Sequence, residues 1–251
     1  MARKQRLDKI LGHLGYGTRS ELKKAVKLGA VTVNGRVATD SGMQIDPEQD
    51  VILFEGTRVH YREFIYLMMN KPAGVISATE DLREKTVLDL LEAEYAAFEP
   101  FPVGRLDKDT EGLLLLTNDG QLAHRLLSPK KHVPKTYYGD VEGTVTEEDA
   151  AAFRRGVTLD DGYVTMPAEL RILEANGGSS RIELTIMEGK FHQVKRMFEA
   201  VGKKVVYLKR IGMGPLPLDE ALPLGAVREL TSKELESLRM APSDLGQARN
   251  G

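Results

Sequence analysis

Four consecutive leucines, Leu113–Leu116, closed by Thr117 and the turn Asn118-Asp119-Gly120, constrain this 251-residue chain more than any other segment. The run is short, lacks a polar face and is bounded by turn residues, so it reads as a buried strand. Asp119 then reads as a turn residue or as the N-cap of the helix QLAHRLL that follows. The polar stretch just before the leucines carries Asp107, Asp109 and Glu111. On an extended backbone these three would point to one side, at a period of two. That arrangement allows a carboxylate pair or a divalent-metal site. It equally allows three solvated acids with Arg105 and Lys108 as neutralising neighbours, and the residues alone leave both readings open.

The rest of the chain mixes short strands and helices without a βαβ rhythm, so the expected class is α+β with a mainly antiparallel sheet. RLDKILGHLG and SELKKAVKLG read as helices ended by glycine, and AVTVNGRVA as two strands joined by the hairpin signal Asn34-Gly35. KTVLDLLEAEYAAF is expected to be an amphipathic helix with Val87, Leu88, Leu90 and Leu91 inward. KTYYGDVEG, VTMPAELRILEA, SSRIELTIMEG and VVYLKRIGMGP read as strands. TEEDAAAFRRG, capped by Thr146, KFHQVKRMFEAVG and SKELESLRM read as helices. The expected boundaries are 1–58 for a first domain, 59–64 for a linker, 65–240 for a second domain, and 241–251 for a disordered tail.

Charge is more informative in its distribution than in its net value of −2. Arg3, Lys4, Arg6, Lys9, Arg19, Lys23, Lys24, Lys27 and Arg36 crowd the first 36 residues, and a second basic island runs from Lys190 to Arg210. Two such islands suit a polyanionic partner, or they are solvated helix faces. The chain has no cysteine, which removes disulfides and thiolate chemistry and suits a reducing cytoplasm. No apolar run approaches the ~20 residues that span a bilayer, and MARKQRLDKI does not continue into an apolar signal core. No membrane association is expected.

Residues 6–56 resemble the S4 domain, a small RNA-binding module, through the two helices and the pattern V-x-V-N-G that follows them. The resemblance implies structured RNA as ligand, contacted through Arg19, Ser20, Lys23, Lys24, Lys27, Asn34 and Arg36. Asn34-Gly35 is at the same time a type I′ turn in its own right.

A second resemblance covers the remainder. GRLDKDTEGLLLLTNDG resembles the catalytic motif of the pseudouridine synthases. YLMMNKPAGVISATED, KTYYGDVEG and LTIMEGKFHQVKRMFEAVGKKVVYLKRIGMGP agree with that family in order and spacing. The resemblance implies that Asp107 is the nucleophile, that Lys195 is the cation facing it, and that Tyr137 stacks on a flipped uracil. A cation within about 4–6 Å keeps a carboxylate ionised. Tyr138, on the opposite face of its strand, is expected in the core. Arg105 and Arg196 are expected on RNA, Arg196 facing outward, with Lys203, Lys204 and Lys209 extending the track. His192 is expected in a structural or RNA-contacting role. No cofactor is implied, and the chain shows no GxGxxG, P-loop or metal-spaced His/Cys pattern.

The implied activity is conversion of a uridine in ribosomal RNA to pseudouridine by a cytoplasmic monomer. Its substrate would be naked rRNA or a pre-ribosomal small-subunit particle. The segment FHQVKRM stands where large-subunit relatives usually carry N-R-Q-V-R-R-M, which points to 16S RNA. The alternatives are a large-subunit (23S) synthase, a non-catalytic rRNA-binding assembly factor, and a metal- or dyad-dependent hydrolase using Asp107 with Asp109.

Overall fold

A computed structural model describes residues 4–240, so the expected disordered tail 241–251 lies outside the described residues. The chain forms two compact units, one comprising the residues up to Ile65 together with Leu91–Pro100, the other Tyr66–Leu90 and Phe101 onward.

In the first unit β1 (Gln5–Arg6) leads into α1 (Leu7–His13) and α2 (Arg19–Lys27). These are followed by β2 (Val31–Val33), β3 (Arg36–Val37), β4 (Gln44–Ile45), β5 (Ile52–Phe54) and β6 (Thr57–Arg58). Thr18 and Glu21 start α2 with a reciprocal capping box, which satisfies two otherwise orphaned backbone donors. Leu7, Ile10, Leu11, Leu22 and Val26 meet the strand residues Val31, Val33 and Ile52 in one small core. Asn34 and Gly35 both have positive φ, 51° and 77°, as a type I′ hairpin turn requires.

The expected linker packs within this unit: the Val59 amide donates to Ile52 O at 2.9 Å, and Gln5 Nε2 donates to the Tyr61 hydroxyl at 2.7 Å. Residues 91–100 also belong here, through the short α3 (Ala93–Ala96) and Phe98, whose ring meets His13 edge-on at 4.8 Å.

The expected helix KTVLDLLEAEYAAF does not form. Ile76 pairs with Thr86 in a parallel bridge, and the Val87 amide donates to Ile76 O at 3.0 Å. Asp89 accepts from both the amide and the hydroxyl of Thr86. Only the 3-10 turn Leu88–Leu90 and the single turn α3 survive of the helical period, and the division between the units falls between them. Tertiary pairing overrides a local periodicity in this stretch.

The second unit is built on nine strands: β7 (Tyr66–Lys71), β8 (Phe101–Pro102), β9 (Glu111–Thr117), β10 (Lys135–Glu142), β11 (Glu169–Asn176), β12 (Ser179–Ile186), β13 (Lys204–Met213), β14 (Leu216–Pro217) and β15 (Val227–Glu229). The main path is β11-β12-β10-β13-β9-β7-β15, with every pair antiparallel except β13 with β9. The class is α+β, as expected. The leucine run is β9, the strand next to the centre, and Leu113–Leu116 are all 3% exposed or less.

Helices α4 (Gly120–Leu127), α5 (Glu147–Arg155), α6 (Gln193–Ala200) and α7 (Ser232–Met240) accompany this sheet. Leu122, Ala123 and Leu126 of α4 and Leu238 of α7 share a core with Leu113 and Leu115. Asp119 caps α4, accepting from the Gln121 and Leu122 amides at 3.0 Å each. β9 and β13 approach closely at Gly112, where φ is 102° and an added Cβ would lie 2.2 Å from the Arg210 carbonyl oxygen.

Candidate active site

The loop that delivers the chain into β9 is held from several sides. Ser77 Oγ accepts from the Leu106 amide and donates to the Leu106 carbonyl, both at 3.0 Å. The Thr110 amide donates to Asp107 O at 3.0 Å, so the backbone turns here instead of running extended. The expectation of three carboxylates on one side of a strand is therefore corrected. Asp107 and Asp109 reach the same neighbour from a turn, while Glu111 opens β9 and accepts from the Tyr207 hydroxyl at 2.7 Å. Burial, helped by that bond, pushes the Tyr207 phenol above its ordinary pKa.

Beneath the loop lies Lys71, fully buried at the end of β7. Its ammonium donates to the carbonyls of Pro72 (3.1 Å), Asp107 (3.1 Å), Lys108 (3.4 Å) and Thr110 (2.9 Å). Burial pulls this ammonium down to about 8, against the pull of Asp109, Asp107 and Glu111. Lys71 was not singled out from the sequence as a site residue. A lysine that closes the apolar run Leu67–Met69 after Asn70 is the one signal the sequence holds for this clamp.

Lys195 arrives from α6. Its Nζ lies 3.4 Å from Asp107 Oδ2 and 2.7 and 2.9 Å from the two oxygens of Asp109. The Lys195 ammonium holds the Asp109 carboxyl below the usual carboxylate range. His192 Nε2 stands 3.6 Å from the other Asp107 oxygen, so Asp107 sits between two basic side chains. His192 precedes α6 with φ of 49°, a left-handed conformation, and its ring stacks on the exposed Phe191 at 3.7 Å. Arg196 faces away from Lys195: its guanidinium pairs with Asp160 and, at 2.7 Å, with Asp161.

These groups border a cleft of about 340 Å³, lined among others by Arg105, Asp107, Lys135, Tyr137, Tyr163, Glu188, His192, Lys195 and Arg210. The volume lies at the lower end of the ~300–1,000 Å³ of small-ligand sites. Tyr137 is 9% exposed on β10 and shows its ring to the cleft. Tyr138 does point to the other face, but it is not core. It is half-buried, its hydroxyl donates to Asp140 at 2.9 Å, and its ring meets Tyr207 edge-on.

Glu188 organises another part of the lining. It accepts from the Tyr163 hydroxyl (2.6 Å), the Met166 amide (2.8 Å) and Gln193 Nε2 (2.9 Å). Lys135, Arg210, Tyr163 and Glu188 were not singled out from the sequence as site residues, because only the order of strands brings them together.

The second basic island is not one track. Lys203 pairs with Asp149 at 2.9 Å, Arg210 is 3% exposed, and Lys209 lies with Tyr138 and Tyr207 away from the cleft. In the first unit Lys23, Lys24, Lys27, Ser20 and Arg36 are exposed. Arg19 lies 3.4 Å from Asp8, whose stronger partner is Arg6 at 2.7 Å. The Asn34 carboxamide is occupied, donating to Asp50 at 2.8 Å and accepting from the Val51 amide at 2.9 Å. No helix among the described residues is long and apolar enough to cross a membrane.

Residues 65–200 match the RNA pseudouridylate synthase family and residues 5–52 match the S4 domain. The uncharacterized RNA pseudouridine synthase YtzG of Bacillus subtilis is 57% identical over 93% of this chain and 98% of its own length. The ribosomal large subunit pseudouridine synthase B of Bacillus subtilis is 40% identical over 94% of this chain and 96% of its own. The ribosomal small subunit pseudouridine synthase A of Yersinia pestis is 39% identical, over 93% and 97%. A crystal structure of a pseudouridylate synthase superposes with a TM-score of 0.65 at 41% identity, covering 93% of this chain and 99% of that one. With its leucine strand, its loop of carboxylates and its S4 module, the chain belongs to the RNA pseudouridylate synthase family and is an RNA-modifying enzyme.

Proposed function

We propose that the enzyme isomerises one uridine of small-subunit (16S) ribosomal RNA, with Asp107 as nucleophile. The observation that carries the site assignment is the position of Asp107 between Lys195 (3.4 Å) and His192 (3.6 Å), on a cleft that Tyr137 lines. In the reaction uracil leaves the ribose C1′, turns, and returns through C5. The overall change is an isomerisation: the N1–C1′ bond breaks, a C5–C1′ bond forms, C5 gives up its proton and N1 gains one. A base stacked inside folded RNA must first be flipped out, at a cost of a few kcal/mol, and a cleft of this volume accepts one nucleoside.

Each cleft residue then has a physical task. Lys195 supplies a counter-charge 3.4 Å from the Asp107 carboxylate in a partly enclosed site. Tyr137 offers a flat, nearly buried ring for the base to stack on, and stacking of this kind is worth about 1–3 kcal/mol. Arg105, exposed at the cleft, meets the RNA phosphates that flank the flipped nucleotide. Lys23, Lys24 and Lys27 of α2 supply sequence-independent affinity for the RNA backbone.

The 16S assignment rests on FHQVKRM. Overall identity does not separate the subunits, at 40% to a large-subunit and 39% to a small-subunit enzyme. Mapping pseudouridine in rRNA from a strain lacking the protein tests it. One site should be lost from 16S RNA, and loss from 23S RNA instead would overturn the subunit assignment.

A further inference from the structure

Among the cations that line the cleft, Arg210 and Lys135 are set deepest in the sheet, and neither pairs with a carboxylate among the described residues. Arg210 is 3% exposed; its Nε donates to Leu113 O at 2.8 Å and its Nη2 is buried without a partner. It pairs across β13 and β10 with Tyr137, and Lys135 lies two residues before Tyr137 on the same face. Burial and the Arg210 charge together pull the Lys135 ammonium down to about 8, with no acid acting in the other direction. The carboxylates of the cleft are occupied elsewhere: Asp107 and Asp109 by Lys195, and Glu188 by its three donors. Uncompensated positive charge in a partly enclosed site is costly, and an arriving anion relieves that cost.

The reaction makes such an anion. When the Asp107 carboxylate bonds to C1′ and N1–C1′ breaks, the bonding pair stays with the base and its charge spreads onto the carbonyl oxygens O2 and O4. We propose that Lys135, with Arg210 behind it, receives the carbonyl edge of the flipped uracil and holds this charge until C5 bonds to C1′. Lys135 donates a hydrogen bond and keeps its proton, so the electron pair returns to form the C5–C1′ bond as the C1′–Oδ bond to Asp107 breaks, after which C5 gives up its proton and N1 gains one. A detached base held at its carbonyl edge cannot escape while it turns. The assignment rests on the reading of this cleft as the reaction site.

Single-turnover conversion of an rRNA fragment at saturating enzyme, with RNA affinity measured in parallel, tests the role of Lys135. Lys135→Met should lose on the order of 10²-fold in rate, as for removal of one preorganised donor, with affinity unchanged. Lys135→Arg should recover most of that loss. The loss should also shrink on RNA carrying 5-fluorouridine at the target, read as cleavage of N1–C1′, because fluorine itself stabilises the departing base anion.

If Lys135→Met weakens affinity and lowers the salt slope by about one while the saturated rate stands, Lys135 holds an RNA phosphate and the proposal is overturned. An equal loss on both substrates with no recovery in Lys135→Arg overturns it in favour of packing. Lys135→Gln serves if Lys135→Met does not fold, with the same outcomes. Asp107→Asn in the same assay separates the two readings. Full activity there would discredit the cleft, whereas a dead Asp107→Asn beside an unimpaired Lys135→Met discredits Lys135 alone.

Discussion

Lys195 separates two carboxylates that the sequence presents as equals. Its short contacts go to Asp109, at 2.7 and 2.9 Å, and the longer one goes to Asp107, at 3.4 Å. Asp109 is thus the nearer counter-charge of the lysine. Asp109→Asn should cost about 10-fold or less in single-turnover rate, since it weakens a positioning contact of a largely exposed carboxylate. Abolished activity would favour a carboxylate dyad instead. Lys71 is the second residue-scale case. Lys71→Met leaves the loop carbonyls of Asp107, Lys108 and Thr110 without their buried donor and should destabilise the protein by about 2–4 kcal/mol in urea unfolding. The role of Asp119 as a cap was legible, because a turn residue before a helix has few other tasks. The burial of Lys71, Lys135 and Arg210 was not, since it depends on strands that are distant in sequence. Asn34 was legible as a turn, while its bonds to Asp50 and Val51 depend on a loop sixteen residues further on.

At the scale of elements, the close approach of β9 to β13 places Asp107 at one end of the parallel pair and Arg210 within it. Gly112→Ala forces a Cβ against the Arg210 carbonyl at a positive φ, and should cost about 2–3 kcal/mol or more with loss of activity. A melting temperature equal to that of the wild type would contradict this. Helix α7 is docked by charge: Arg228 grips Glu234 at 2.8 and 2.9 Å, and Thr231 completes the cap. Those bonds hold Glu234 down to about 2 from an ordinary value of 4.5. The folded value is the lower one, so the contribution is complete above pH ~4.5 and is lost as pH falls toward 2. Amide exchange in α7 should accelerate across that window, and Glu234→Gln should flatten the dependence. Strands and capped helices were legible from period and turn residues. KTVLDLLEAEYAAF was not, because the Ile76 backbone claims Thr86 and Val87 before a helix can form.

At the scale of the whole molecule, the chain divides its labour between an S4 unit and a catalytic unit. Deleting residues 1–58 should weaken affinity for an rRNA fragment at least 10-fold near 0.15 M salt and reduce the salt slope, because the exposed lysines of α2 are removed. Unchanged binding would contradict that role. The truncation also strips Phe98 of His13, since residues 91–100 belong to the first unit, so α3 and its flanks should lose order. The two basic islands looked alike in sequence. In the structure the first keeps its lysines exposed, while the second spends Lys203 on Asp149, Arg196 on Asp160 and Asp161, and Arg210 inside the fold. The account as a whole stands on one carboxylate. Asp107→Asn preserves size and removes the charge, so the most direct measurement is pseudouridine formed from an rRNA fragment by that variant. The account predicts no product with RNA affinity retained, and product formed at a rate near that of the wild type would contradict it.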